Sequence, residues 1–182
     1  MMRPRTIVLT VATILVAGVA ALASWDFFKF SRTAPPQAAP DARATLILVE
    51  KQVRRLSLVR NGQVLKTYNV TLGTHPVGHK QQEGDQRTPE GTYAIDFKHP
   101  RSRFHLALRV SYPNAEDSKQ AQQRGIQAGG DIMIHGLPNG LGMLGRLMQS
   151  RDWTDGCIAV TNREIEEIWA MVDVGTPIQI KP

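Results

Sequence analysis

The hydrophobic pattern between residues 45 and 73 is typical of β-strands. The stretch TLILVEK at 45–51 is one apolar run, and RRLSLVRNGQVLKTYNVTLG at 54–73 contains two alternating runs. Asn61 and Gly62 join these two runs, and this dipeptide favours a tight hairpin turn because both residues tolerate a positive φ. The pattern therefore predicts three strands, of which the second and third form a hairpin.

Several shorter runs along the rest of the chain also predict strands. They are TYAIDFKHP at 92–100, FHLALRVSYP at 104–113, GDIMIHG at 130–136, CIAV at 157–160 and PIQIKP at 177–182. Residues 74–91 are polar and contain several glycines and prolines, which predicts a loop. The segment 137–156 is rich in glycine and predicts a second loop with one helical turn.

Two segments have helical patterns. Residues 114–125 predict a short surface helix that ends at Gly125. Residues 161–175 predict the clearest helix, because Thr161 and Glu164 have the spacing of a capping box. An apolar stripe follows at helical spacing, formed by Ile165, Ile168, Trp169 and Val172. Gly175 and Pro177 are expected to end this helix. Together, the predicted strands and helices indicate a mainly β fold with short helices, an α+β protein.

The N-terminal 23 residues have the pattern of an export segment. Arg3 and Arg5 precede residues 6–23, which carry no charge and end in the small-x-small sequence ALA. This pattern is shared by a cleaved signal peptide and by an uncleaved membrane anchor, and both place the rest of the chain outside the cytoplasm. The Ala- and Pro-rich residues 24–43 predict a linker, and residues 44–182 predict one domain.

The charge of the chain is mildly basic. It has 22 basic and 16 acidic residues, with a formal net charge of +6. Attraction to an anionic polymer of the envelope is one interpretation, and a solvated surface is the other. An exported chain without an interleaved aromatic and basic motif is not expected to bind nucleic acid.

The single cysteine, Cys157, is the main candidate for chemistry. An idle thiol is at risk in an oxidising compartment, although a buried structural cysteine is the simple alternative. Cys157 follows a Thr-Asp-Gly turn and precedes an apolar strand. A nucleophilic thiol needs a base, and His135 ends another short strand. Adjacent strand ends would bring the two together, whereas a structural imidazole is the alternative for His135.

The other histidines have weaker signals. His75 and His79 lie four residues apart, but in a loop with proline and glycine and without a third ligand nearby, so we expect no metal site. His99 and His105 flank the basic stretch KHPRSR and are expected to face solvent.

Two motifs in this order resemble the L,D-transpeptidase catalytic domain (YkuD-like). IMIHG followed by TDGCIAV is similar to the family's His-Gly and Ser/Thr-x-Gly-Cys signature, and GDQRTPEGTYAI at 84–95 is similar to its upstream segment. The resemblance spans about residues 44–181. It implies an L,D-transpeptidase-like β-sandwich with a helix of the C-terminal region packed on it. It also implies a periplasmic location in the bacterial envelope, with peptidoglycan peptide stems as substrate.

The same resemblance implies roles for individual residues. Cys157 matches the nucleophile, His135 matches the base, and the backbone carbonyl near Gly136 is the third partner. The family commonly has arginine two residues after the cysteine, where this chain has Ala159. Asp155 stands where histidine or another polar residue is frequent. These departures resemble a branch that includes enzymes acting on links between a lipoprotein and peptidoglycan, some by hydrolysis.

The expected reaction is acyl transfer without a metal or an organic cofactor. The backbone N–H groups of Gly156 and Cys157 are candidates for holding the oxyanion. Asp155 has two interpretations: its carboxylate orients His135, or it only shapes the turn. Hydrolysis of the same substrate is the alternative reaction. A non-catalytic peptidoglycan-binding module is the alternative function.

Overall fold

The computed structural model describes residues 35–182. The predicted signal or anchor at 1–23 and the first part of the predicted linker lie outside the described residues. Within residues 35–182, no helix is both long enough and apolar enough to cross a bilayer.

The described chain contains eight β-strands and two α-helices, close to the elements that the sequence predicts. The strands are β1 (Leu46–Glu50), β2 (Arg55–Arg60), β3 (Gln63–Asn69), β4 (Gly91–Ser102), β5 (His105–Val110), β6 (Met133–His135), β7 (Ile158–Ala159) and β8 (Pro177–Lys181). The α-helices are α1 (Ala115–Gln123) and α2 (Asn162–Met171), and 3₁₀ helices cover Pro40–Ala42 and Gly142–Gln149. The mainly β, α+β class is thereby confirmed.

The hairpin prediction is confirmed in detail. β2 and β3 pair antiparallel, and Asn61 and Gly62 have φ values of 50° and 77°. Two successive positive φ values match the twist of the flanking strands, which is why this dipeptide closes the turn.

The strands form one mixed sheet in the order β3-β2-β1-β8-β4-β5-β6-β7. The long strand β4 belongs to both halves: residues 91–94 pair with β8, and the rest pairs with β5. Its pairing with β5 is interrupted by irregularities after Ile95 and after His99, and such bulges increase local bending. The short strands β6 and β7 lie at the far edge, and the candidate residues lie there.

The helix α2 packs on this edge as the sequence predicts. Thr161 and Glu164 form the capping box, with the Glu164 N–H donating to Thr161 Oγ1 at 3.3 Å and the Thr161 N–H donating to Glu164 Oε2 at 2.8 Å. Its apolar stripe is buried in the common core. The packing of a C-terminal-region helix on the sheet is confirmed.

The helix ends earlier than expected, at Met171 rather than near Gly175. The last turn of a helix leaves carbonyls without partners inside the helix. Here Lys98 Nζ donates to the carbonyls of Trp169 and Val172 at 2.6 and 2.8 Å. These bonds to the Lys98 ammonium group allow the backbone to become extended at Val172. Lys98 is far from α2 in the sequence, so the local sequence does not reveal this contact.

The described part of the predicted linker also binds this helix end. The Ala38 N–H donates to the Ala170 carbonyl and the Ala44 N–H to the Met171 carbonyl, both at 2.8 Å. Arg43 forms an ion pair with Asp173 at 3.1 Å. We therefore propose that the domain begins near Gln37, several residues before the boundary expected at Ala44.

Candidate active site

The strand pairing brings the two main candidates together. β6 and β7 run parallel, with His135 opposite Ala159. Side chains alternate between the faces of a strand. Cys157 lies one residue before β7 and two residues before Ala159, and we infer that it faces the same side as His135. Strand spacing and rise place their Cα atoms about 8 Å apart on the diagonal, within reach of a thiol and an imidazole.

His135 lies in a row of side chains across four neighbouring segments. Ala107 on β5 pairs with His135, His135 pairs with Ala159, and Ala159 is bridged to Thr71. All four residues are buried, and both direct neighbours of the histidine are alanines. The small side chains leave room beside the imidazole for aromatic rings.

Two aromatic rings occupy that room. The ring centroid of Phe104 lies 4.5 Å from that of His135, and the Trp153 ring meets it edge-on at 5.8 Å. His135 Nδ1 lies 2.6 Å from the Gly136 carbonyl oxygen. A carbonyl only accepts hydrogen bonds, so the proton of the neutral ring is on Nδ1 and Nε2 keeps a free lone pair.

Burial keeps this imidazole neutral. His135 is 3% exposed. Burial lowers the pKa of His135 to about 4, because removal from water disfavours the imidazolium, and the Gly136 carbonyl opposes this shift. His135 is therefore an unprotonated base at neutral pH.

The thiol is also neutral at rest. Burial raises the pKa of the Cys157 thiol, the Met133 N–H opposes the shift, and the Asp155 and Asp131 carboxylates raise the pKa further. The thiol donates a weak hydrogen bond to the Asp131 carbonyl, with sulfur and oxygen 3.6 Å apart. The resting pair is thus a thiol and an imidazole rather than a thiolate and an imidazolium.

The turn before the cysteine is held by Thr154. Its hydroxyl donates to the Cys157 carbonyl at 2.7 Å and accepts from the Gly156 N–H at 3.2 Å. The Gly156 N–H therefore already has an acceptor, although the sequence suggested it as an oxyanion donor. Of the two expected donors, the Cys157 N–H becomes the stronger candidate.

The two sequence motifs meet at this turn. Gly156 has a φ of 122°, and a Cβ at this position would lie 2.5 Å from the Arg87 carbonyl oxygen. A Cβ at Gly73 would collide with the Gln86 carbonyl. Thr88 completes the contact, since its hydroxyl accepts from the Gly73 N–H at 3.4 Å. The segment 84–91 therefore packs its backbone directly against the cysteine turn.

This contact predicts a large cost for Gly156→Ala. The new methyl group meets the Arg87 backbone at a φ that L residues rarely adopt, so we expect a loss of about 3 kcal/mol or more in the free energy of unfolding. Urea denaturation measures this loss.

Gly175→Ala is the matched control for this substitution. Gly175 has a φ of 91°, but a Cβ there meets nothing within 4 Å. Its expected cost is about 1 kcal/mol, from backbone strain alone. If the two variants lost equal amounts of unfolding free energy, the contact between Gly156 and Arg87 would contribute nothing to stability.

Asp155 is not placed to orient the imidazole. Its side chain is exposed, whereas His135 is buried, and the Nδ1 of His135 already contacts the Gly136 carbonyl. Its clearest effect on the site is electrostatic, since its negative charge helps to raise the pKa of the Cys157 thiol. These observations count against the orienting role, and the hydroxyl that holds the turn is that of Thr154.

We therefore expect Asp155→Asn to leave turnover within about twofold of wild type, because the Thr154 hydroxyl that holds the turn is retained. Removing the carboxylate lowers the thiol pKa, so iodoacetamide alkylation near pH 7 should become faster. Asp131→Asn is a matched control and should shift the alkylation rate in the same direction. A tenfold loss of turnover in Asp155→Asn, about 1.4 kcal/mol, would restore the orienting role.

The remaining histidines have other contacts. His79 Nδ1 accepts from the Glu90 N–H at 2.9 Å, and its Nε2 lies 3.1 Å from Asp117. His105 Nε2 lies 2.7 Å from Glu166, so its ring is partly covered rather than facing solvent as expected. Among residues 35–182, no group of three or more His, Cys, Asp or Glu side chains is placed to hold a metal ion.

Several residues that shape the site were not singled out from the sequence. They are Phe104, Asp131, Trp153 and Thr154. Thr154 carries a recognisable signal, since it begins the Thr-x-Gly-Cys motif. Phe104, Asp131 and Trp153 carry no local signal, because they reach the site through strand pairing and loop packing.

The comparison with known sequences agrees with this geometry. Residues 44–180 match the family of the L,D-transpeptidase catalytic domain, YkuD. The chain is 31% identical over 132 residues to a protein of Escherichia coli strain K12 named "Putative L,D-transpeptidase YafK". This match covers 69% of the chain and 46% of that protein, so the chain spans about half the length of this curated relative.

Solved structures show the same fold. The helical cell shape determining protein Pgp2 from Campylobacter jejuni gives a TM-score of 0.56 at 24% identity, covering 88% of this chain and 56% of that one. Bd1075 from Bdellovibrio bacteriovorus gives 0.53 at 28% identity, covering 81% of this chain and 51% of that one. L,D-transpeptidases are cell-envelope enzymes that act on peptidoglycan stems. The family match extends over more than half of the sequence, and the chain therefore belongs to the L,D-transpeptidase catalytic-domain family.

Proposed function

We propose that this chain is a cysteine-dependent acyl transferase that acts on peptidoglycan peptide stems. The observation that carries the proposal is the neutral, buried His135. Its Nδ1 is bound to the Gly136 carbonyl. The parallel pairing of β6 and β7 supports placing its Nε2 on the strand face of Cys157. A base with a fixed tautomer beside a single thiol is the arrangement that nucleophilic catalysis requires.

In the first half of the reaction, Cys157 attacks the amide carbonyl that follows the third residue of a donor tetrapeptide. The S–H turns from the Asp131 carbonyl towards His135, and Nε2 takes the proton as the C–S bond forms. The imidazolium then donates this proton to the leaving amine, and the C–N bond breaks. Free D-alanine leaves, and the donor remains as a thioester on Cys157.

In the second half, His135 takes a proton from the acceptor amine. The amine attacks the thioester, and the C–S bond breaks as the new amide forms. The imidazolium then returns its proton to the sulfur, which restores the thiol. In both halves we assign the Cys157 N–H to the oxyanion, because the Gly156 N–H already donates to Thr154. Because burial lowers the pKa of His135, the imidazolium readily gives up the proton that it has taken in each half of the reaction.

A cleft beside α1 is a candidate binding place for an amine acceptor. Its volume is about 490 Å³, and it lies between α1 and residues 126–130. Asp131, the next residue in the chain, accepts the weak hydrogen bond of the Cys157 thiol through its carbonyl. Glu83 is the charged side chain in its lining. A carboxylate at this position attracts an ammonium group, which is how an amine acceptor arrives before it loses its proton.

We also propose the site of action. Residues 6–23 direct the chain across the inner membrane, either as a cleaved signal or as an anchor, and the domain works in the periplasm. The net charge of +6 favours association with an anionic envelope polymer. A peptidoglycan-linked lipoprotein is the partner to test, since Ala159 and Asp155 depart from the common family pattern.

The experiment is digestion of purified muropeptides by the full chain, followed by mass spectrometry. We expect new cross-links and release of D-alanine. Trimmed stems without cross-links would identify a hydrolase, and release of a linked lipoprotein would identify that bond as the substrate. Unchanged muropeptides with a folded, alkylatable protein would favour the binding module.

A further inference from the structure

A cationic cleft lies on the other side of the candidate site. Its volume is about 560 Å³, and it is bounded by the residues that follow β1, by the residues that follow β3, and by the end of the 3₁₀ helix Gly142–Gln149 with the residues after it. Three arginines line it: Arg54, Arg146 and Arg151.

Only one of these arginines is neutralised by a carboxylate. Arg54 binds Asp152, with its Nη2 2.7 Å from Oδ2, and Asp152 also accepts the Leu72 N–H at 2.9 Å. Arg146 and Arg151 are exposed and have no ion pair within residues 35–182. The cleft therefore has two positive charges that are not balanced by its own carboxylate.

Thr71 lies in the wall of the cleft but is 2% exposed. Its Oγ1 has almost no accessible surface and makes no hydrogen bond to any described residue, so a ligand in the cleft does not contact it. The donors that the cleft presents at its surface are therefore Arg146 and Arg151.

The pairing of the strands sets the distance from Thr71 to His135. Thr71 is bridged to Ala159, and Ala159 pairs with His135, so Thr71 is two strands away on the same face. Two strand spacings amount to about 10 Å. An extended peptide covers this distance in about three residues.

From these observations we infer that the cleft binds a free carboxylate of the peptide stem, about two or three residues from the amide that Cys157 attacks. Arginine is a suitable donor for a carboxylate, because its guanidinium group binds a carboxylate in a bidentate manner. The inference rests on the proposed function, because it names the part of the substrate that this cleft selects.

The test measures binding separately from turnover. The probe is a synthetic stem tetrapeptide with free internal carboxylates, compared with the same peptide amidated at those carboxylates. Calorimetry on the full-length Cys157→Ala protein gives the dissociation constants without reaction. We expect the free peptide to bind about tenfold or more tightly than the amidated one, since charge-assisted bonds are lost on amidation.

The variant for this test is R146Q/R151Q. It should weaken binding of the free peptide about tenfold and leave the amidated peptide unchanged. In the otherwise wild-type protein it should raise KM rather than lower kcat, with an unchanged rate of Cys157 alkylation. Arg163→Gln is the matched control, because the Arg163 side chain is 89% exposed on α2 and does not line the cleft.

Thr71→Val is a second control. Valine has a similar shape without the hydroxyl, so the free energy of unfolding should be unchanged or slightly higher. Binding of the free peptide should also be unchanged, because the buried hydroxyl does not contact the ligand.

Equal affinity of the two peptides, or an unchanged affinity in R146Q/R151Q, would overturn the inference while leaving the acyl-transfer proposal intact. Turnover of neither peptide by the wild-type protein would count against the acyl-transfer proposal, and the calorimetry would still decide the inference. Amidating the donor or the acceptor separately in the cross-linking reaction identifies which stem carries the recognised carboxylate.

Discussion

Cys157→Ala is expected to reduce turnover of peptide stems to about 1% of wild type or less, because the thioester has no other thiol on which to form. Cys157 is the single cysteine of the chain and is half-buried on the turn held by Thr154. Removing one partly exposed sulfur atom should change the free energy of unfolding by no more than about 1 kcal/mol. Muropeptide analysis and urea denaturation measure the two effects.

Cys157→Ser is the matched control for a structural role. Serine keeps a similar shape and a hydrogen-bond donor at this position but is a much weaker nucleophile beside the same imidazole. We expect it to be as inactive as alanine. Activity above a few per cent of wild type in either variant would remove Cys157 as the nucleophile.

His135→Ala should lower kcat by at least about a hundredfold, the usual contribution of a positioned general base. It should also slow iodoacetamide alkylation of Cys157 at neutral pH, where both groups are uncharged in the wild-type protein. Above the pKa of the thiol, the alkylation rates of wild type and variant should converge, because the thiolate no longer needs a base. In the wild-type protein, the pKa of His135 of about 4 places the acid limb of kcat/KM well below pH 6.5.

The alanine variant also leaves a cavity beside Phe104 and Trp153, so a second variant is needed. His135→Asn keeps a donor for the Gly136 carbonyl but has no basic nitrogen, and it should be folded and equally slow. His75→Ala, which removes an exposed histidine, should behave as wild type. An unchanged alkylation profile in His135→Asn would mean that the base lies elsewhere.

The parts of the fold that local chemistry determines could be read from the sequence. The Asn61-Gly62 turn and the capping box of α2 depend on residues close together in the chain, and both predictions are confirmed. The early end of α2 could not be predicted, since Lys98 binds its last carbonyls from another strand. The binding of residues 37–44 to the same end is a contact of the same kind.

Part of the candidate site could also be predicted from the sequence, and part of it could not. The Cys157 and His135 pair could be proposed from two strand ends and the family motifs. The choice between Gly156 and Cys157 as oxyanion donor depends on the Thr154 hydroxyl, and a motif does not show where that hydroxyl points. The packing of Arg87 on Gly156 joins segments about seventy residues apart, so it required the sheet to be assembled first.

Trapping the acyl-enzyme tests the central claim most directly. The full-length protein is mixed with a tetrapeptide stem, quenched in acid within the first turnover, and analysed as intact protein and as peptides by mass spectrometry. We expect an added mass equal to the stem minus D-alanine, attached to the peptide that contains Cys157 and absent from Cys157→Ala. Release of D-alanine without such an adduct, or an adduct on another residue, would contradict the central claim.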